Sequence, residues 1–111
     1  MEKVDFSVWE KINLIVAEIR NVEDIEGADK LYKLTLDTGI YGERIICAGI
    51  KKHYSKEELF GKKIVLFENL MPRKLKGIES RGMLLAATSQ DHNKVVLISP
   101  EKEVENGTKI Y

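Results

Sequence analysis

The sequence is poor in the residues that build covalent, metal or membrane sites. It has a single cysteine, Cys47, so no disulfide can form within the chain, and no Cys–His spacing reads as a metal cage. The only histidines, His53 and His92, are far apart, and neither has a second ligand beside it. No apolar run is long enough to cross a bilayer. The start, Met1-Glu2-Lys3-Val4-Asp5, lacks the apolar stretch of a signal peptide. These absences lead us to expect a cytoplasmic protein with no metal, no cofactor and no membrane partner. Catalytic signatures are missing too. There is no phosphate loop and no G-x-G-x-x-G. Ser80 lies in Glu79-Ser80-Arg81-Gly82 rather than G-x-S-x-G. Cys47 follows Ile45 and Ile46 and reads as a buried, inert thiol. No enzymatic centre is expected.

Net charge is lacking as well: 18 basic residues face 18 acidic ones, and a neutral chain is not the usual footprint of a polyanion binder. The distribution carries the information that the total hides. Residues 1–29 hold three bases and eight acids, residues 30–81 twelve bases and six acids, and residues 82–111 three bases and four acids. Segregation of this kind places a positive patch on one side of the fold.

The chain reads as one domain of 111 residues, with a core over about 6–100 and a C-terminal extension over 101–111. Asp5 to Ile12 suits one helical turn that lays Phe6 and Trp9 on the body of the protein. Asn13–Ile25 alternates with a period of two, as a strand does, and Glu26-Gly27-Ala28-Asp29 is a turn signal. Lys30–Asp37 puts Tyr32, Leu34 and Leu36 on one face, and Arg44–Ala48 is a third strand stopped by Gly49. The period then changes. Ser55-Lys56-Glu57-Glu58 is a capping box opening a short helix that stops at Gly61 and plugs one end of the core. Lys62–Leu70 resumes strand, with Ile64, Val65, Leu66 and Phe67 as a core run. Asn69–Ala87 is a basic, turn-rich loop feeding an apolar strand over Gly82–Ser89, which pairs with Val95–Ser99 across Gln90-Asp91-His92-Asn93. Expected, then, is an all-β protein: a five-stranded Greek-key OB-fold barrel with one short helix between strands three and four and short terminal extensions. The helix placement favours this over an SH3-like barrel.

Such a barrel offers one face and its loops to oligonucleotides. Lys30, Lys33, Arg44, Lys51, Lys52, Arg73, Lys74, Lys76 and Arg81 are candidate phosphate contacts. Asn69 and Ser80 offer neutral hydrogen bonds for 2′-hydroxyls or base edges, and Met83 an apolar contact for a ribose or base. Tyr32 and Tyr54 are candidates for stacking, with a core role open for Tyr32.

Three stretches carry a resemblance: Ala28-Asp29-Lys30-Leu31 and its continuation to Gly39, Tyr54 to Val65, and above all Asn69 to Ala87, N-L-M-P-R-K-L-K-G-I-E-S-R-G-M-L-L-A-A. Together they resemble the tRNA-binding domain of methionyl-tRNA synthetases. The same domain occurs in endothelial-monocyte-activating polypeptide and in stand-alone structure-specific tRNA-binding proteins. The likeness runs from about Phe6 to Tyr111. The related secretion chaperone lacks the S-x-G-M ending, intact here as Ser80-Arg81-Gly82-Met83, and the domain of phenylalanyl-tRNA synthetase β-chains usually lacks the N-L-x-P-R-K-L run present at 69–75. What the resemblance implies is a non-catalytic OB-fold that binds tRNA by shape and serves methionyl-tRNA synthetase as a β subunit or trans-acting partner. It further implies a homodimer through the segment after the barrel, Glu101–Tyr111, with help from Phe6–Trp9. The start at a methionine suggests a free-standing subunit. The alternative on the same barrel is a peptide-binding export chaperone.

Overall fold

The longest strand sets the architecture. β1 (Leu14–Ile25) is buried at Leu14, Ile15, Val16 and Ala17 in succession, so its first half is covered on both faces rather than alternating. It pairs antiparallel with β2 (Ala28–Asp37), with β4 (Lys63–Phe67) and, at its start, with β10 (Lys109–Ile110). Register shifts between Ile19 and Asn21 and between Asp24 and Ile25 bend it, as bulges do, which lets one strand serve several neighbours. The computed structural model describes residues 1–111.

Around β1 the main sheet runs β3-β2-β1-β4-β7, where β3 is Glu43–Ala48 and β7 is Met83–Leu84. The ends of this path meet: the Arg81 amide donates to the Ile45 carbonyl at 3.0 Å, and the Cys47 amide to Ser80 Oγ at 2.9 Å. Enclosed within is a core of Ile15, Ile19, Leu34, Leu36, Ile46, Ile64 and Leu66, all fully buried. Leu59, the last residue of helix α2 (Lys56–Leu59), is equally buried, and the Gly61 amide ties the helix exit to the Ile19 carbonyl. The expected plug is therefore present, and so is the capping box: Glu58 N donates to Ser55 Oγ at 3.2 Å, and Ser55 N to Glu58 Oε1 at 2.8 Å.

Three expectations need correction. The basic stretch is not a loop but a two-stranded hairpin, β5 (Arg73–Leu75) against β6 (Ile78–Ser80), because Lys76 and Gly77 both take positive φ and close a two-residue turn. Gly82–Ser89 is not one strand: it breaks at Leu85, where β7 leaves the main sheet and β8 (Ala86–Thr88) pairs with β9 (Val95–Leu97). Leu85 spans the break by donating to the Val65 carbonyl and accepting from the Ile98 amide. The antiparallel, mostly β architecture is as expected, with its sheets divided into ten strand segments of which β1 and β2 are long. Finally, α1 (Phe6–Glu10) forms as expected but buries nothing fully: Trp9 is half-buried and Phe6 is 70 % exposed. The tail at 105–110 returns to β1 through Gly107 N to Val16 O and Val16 N to Thr108 O.

Candidate nucleic-acid interface

The hairpin β5–β6 projects beside the β3 edge, and its position is fixed by glycine and by a partly buried ion pair. At Gly82 φ is +127°, and a Cβ there would lie 2.9 Å from the Phe67 carbonyl oxygen, so only glycine lets the chain pass this close to β4. Next to it, Arg44 reaches from β3 with its side chain only 11 % exposed. Its Nη2 donates to Glu68 Oε2 at 2.8 Å, and its Nη1 donates to the carbonyls of Glu68 and Arg81. Asn13 Nδ2 adds a bond to Glu68 Oε1. Burial alone pushes the Glu68 carboxyl up, but the bonds from Arg44 and Asn13 outweigh it and hold Glu68 below the usual carboxylate range.

The candidate residues now fall into two groups. Arg44, Asn69 and Ser80 face inward in their bonding. Asn69 Oδ1 accepts from the Asn13 amide at 2.8 Å while its Nδ2 donates to the Lys11 carbonyl, so it clamps the exit of α1 to the end of β4. Ser80 is 5 % exposed, and its hydroxyl oxygen is taken by the Cys47 amide. Tyr32 is buried, with its hydroxyl donating to the Tyr54 carbonyl, and the Tyr54 hydroxyl accepts from the Leu97 amide, so both tyrosines are core fixtures rather than stacking platforms. Lys33 pairs with Glu23 and Lys51 with Asp24, and Lys51 also lies over the Tyr32 ring. The hydrogen bond from Lys56 and the one from Lys51 hold Asp24 below its ordinary value.

The second group points outward. Arg73, Lys74 and Lys76 are exposed on the hairpin, and no carboxylate lies within ion-pair distance of any of them. Arg81 reaches Glu79 only at 3.8 Å. Lys30 and Lys52 are likewise exposed and unpaired. Met83 pairs with Phe67 yet stays 48 % exposed, and Met71 is 79 % exposed.

Between hairpin and β3 lies an open cleft of about 370 Å³ with mostly apolar walls, among them Leu31, Leu75, Met71 and Met83, and with Arg73 as its only charged residue. Burial pushes the Cys47 thiol on its wall upward, which keeps that wall neutral. A second cleft, about 260 Å³, is lined by Lys30, Gly49, Lys52, His53 and His92. Sequence reasoning set the two histidines aside for their separation, yet the fold brings both to one wall. The β8–β9 turn, where His92 takes a φ of 62°, is what returns His92, and nothing in its local sequence signals that.

Comparison with known proteins identifies the family. Residues 14–109 match a family described as "Putative tRNA binding domain". A methionine–tRNA ligase of Caldanaerobacter subterraneus subsp. tengcongensis is 50 % identical over 98 % of this chain and 17 % of its own length. The chain thus spans about a sixth of the length of such relatives. Among solved structures, a MetRS-related protein of Pyrococcus horikoshii superposes with a TM-score of 0.92 at 39 % identity, covering 100 % of both chains. The chaperone CsaA of Bacillus anthracis superposes at 0.90 with 28 % identity, covering 99 % of this chain and 100 % of its own. The chain belongs to the tRNA-binding domain family.

Proposed function

We propose that this member of the tRNA-binding domain family binds tRNA by shape, without a catalytic centre of its own, as a β subunit or trans-acting partner of methionyl-tRNA synthetase in the cytoplasm. The observation that carries this reading is the hairpin: Arg73, Lys74 and Lys76 are exposed on a two-stranded arm and form no ion pair, although Glu79 lies across from Lys74, so their charge is open to phosphates. Lys30, Lys52 and Arg81 extend the positive surface. Arg44 and Ser80 serve this surface by holding the base of the arm, and Asn69 by tying α1 to the end of β4, rather than by touching RNA. The synthetase partnership is supported by the named relatives, in which the matching segment is part of a methionine–tRNA ligase. The test is retention of total tRNA as a function of salt. Affinity should fall steeply as salt rises. A protein that holds no tRNA at low salt would refute the reading.

Two copies are proposed to meet over the face where the termini converge. There Phe6, Trp9, Ile12, Ile110 and Tyr111 line a cleft of about 250 Å³, and Phe6 and Tyr111 are exposed at 70 % and 90 %. Light scattering after gel filtration should give twice the chain mass; a monomer at micromolar concentration contradicts it. A second reading, a peptide-binding export chaperone, is favoured by the likeness to CsaA and by the apolar cleft under the hairpin. Binding of an unfolded polypeptide that tRNA does not displace would select it over the first.

A further inference from the structure

The apolar cleft and the polar cleft share one lining residue, Gly49. Resting on the RNA-binding reading, we propose that together they form a single-strand subsite. The apolar cleft takes the face of one unstacked base, and the polar cleft takes the phosphate beside it. The chain thus recognises an unpaired segment of RNA in addition to the duplex backbone that the hairpin follows.

The chemistry on the two sides of Gly49 alternates as a nucleotide chain does. On one side Leu31, Leu75, Met71 and Met83 present apolar walls with Arg73 as the one charge among them, and the Cys47 thiol stays protonated. On the other side every side chain is a cation or an imidazole: Lys30, Lys52, His53 and His92. No carboxylate lines either cleft, so nothing repels a phosphate entering from one to the other. Paired bases are stacked and their faces are inaccessible, so an apolar wall beside a cationic one has use only for a base that has left the stack. The volume of about 370 Å³ lies at the small end of ligand pockets, enough for one base and its sugar. An apolar peptide side chain would fill the first cleft but leave the cationic one without a counter-charge.

Gly49 is the place to break this arrangement. Its φ is not in the left-handed region, and a Cβ there would meet only Leu31 Cδ2 at an ordinary 3.8 Å. Gly49→Leu is therefore compatible with the backbone and adds bulk where the clefts join. The experiment compares two probes, a labelled single-stranded hexa-adenylate and a blunt-ended RNA duplex, on the intact chain and on Gly49→Leu. Affinity for the hexanucleotide should fall about tenfold, the loss of roughly one base contact, while duplex affinity stays within about twofold. Met83→Ser, at an exposed wall, should act in the same direction with a smaller loss. Cys47, the only cysteine, supplies a local readout: the hexanucleotide should slow its alkylation and the duplex should not.

Equal losses for both probes, or none for either, overturn the subsite and leave the RNA-binding reading standing. Protection of Cys47 by an apolar peptide but not by the hexanucleotide makes the cleft a peptide groove and overturns it too. If the intact chain binds neither probe, the RNA-binding reading itself fails, and the subsite with it.

Discussion

Two basic regions, one at the base of the hairpin and one along it, use their charge in opposite ways. At the base of the hairpin, Arg44 is nearly enclosed, bonded to the Glu68 carboxylate and to two backbone carbonyls. On the arm, Arg73, Lys74 and Lys76 extend into solvent with no acid partner. A guanidinium buried with its counter-ion cannot attract a distant polyanion, because its field is cancelled locally. An unpaired surface cation contributes almost nothing to stability but leaves its field intact for a ligand. Positive side chains thus form a clamp in one place and a free cationic surface in the other, and burial with a partner makes the difference.

The largest effect should come from cutting the clamp. Arg44→Ala leaves Glu68 charged in a half-buried site and releases the Arg81 carbonyl, so unfolding free energy should drop by about 3 kcal/mol, as for other broken buried pairs. Urea denaturation measures it. Affinity for tRNA, corrected for the folded fraction at low temperature, should change far less. The complementary break is Arg73→Glu with Lys74→Glu. It should weaken tRNA binding about thirtyfold, or ~2 kcal/mol, for all tRNAs alike, while the melting midpoint hardly moves. It should also flatten the salt dependence by about two counter-ions. If the arm variant unfolds the protein, or the clamp variant selectively abolishes binding, the division between the regions is wrong.

Much of the fold was legible in the sequence, and the reasons separate what was read from what was missed. The strand faces of β2 and the capping box at Ser55 are local patterns, and both formed as expected. The hairpin in 73–80 was missed because its turn carries lysine rather than asparagine at the first positive-φ position, so no standard turn signal was present. The site was half legible. Sequence shows that Arg44 and Arg73 are cations but not which one finds a carboxylate, since Glu68 is distant along the chain and adjacent only in space. For the same reason Asn69 and Ser80 read as free polar groups, although the fold engages both. His53 and His92 line one cleft only because the β8–β9 turn comes back to the end of β3.

Acid offers a smaller and separate way to sharpen the contrast. Glu68 is held below its ordinary value of 4.5 by Arg44 and Asn13, despite its burial. A depressed folded-state value means that the stability it contributes is fully present above about pH 4.5 and is lost as pH falls through the lower, folded value. The intact chain should therefore lose stability over that acid window, and in Arg44→Ala this part of the pH profile should be flatter. Arm substitutions should leave the profile nearly unchanged, since the one carboxylate near the arm cations is the exposed Glu79, opposite Lys74 and beside Arg81.

The finest test sits at the tip of the arm. Lys76 has a φ of 50° and precedes Gly77 at 82°, the pair of positive values that a two-residue hairpin turn demands. A lysine there costs more than asparagine or glycine, because its Cβ crowds the backbone in this region, and asparagine tolerates it best among residues with a side chain. A cation therefore occupies a position where a neutral residue would fold better. Lys76→Asn should raise stability by about 0.5 kcal/mol and at the same time weaken tRNA binding two- to threefold. Thermal melts and a salt titration on the same preparation measure both. The two changes must have opposite sign, because the clamp is untouched and only the arm loses a charge. A variant that gains stability with unchanged affinity would remove Lys76 from the docking surface and confine the arm's contribution to Arg73 and Lys74.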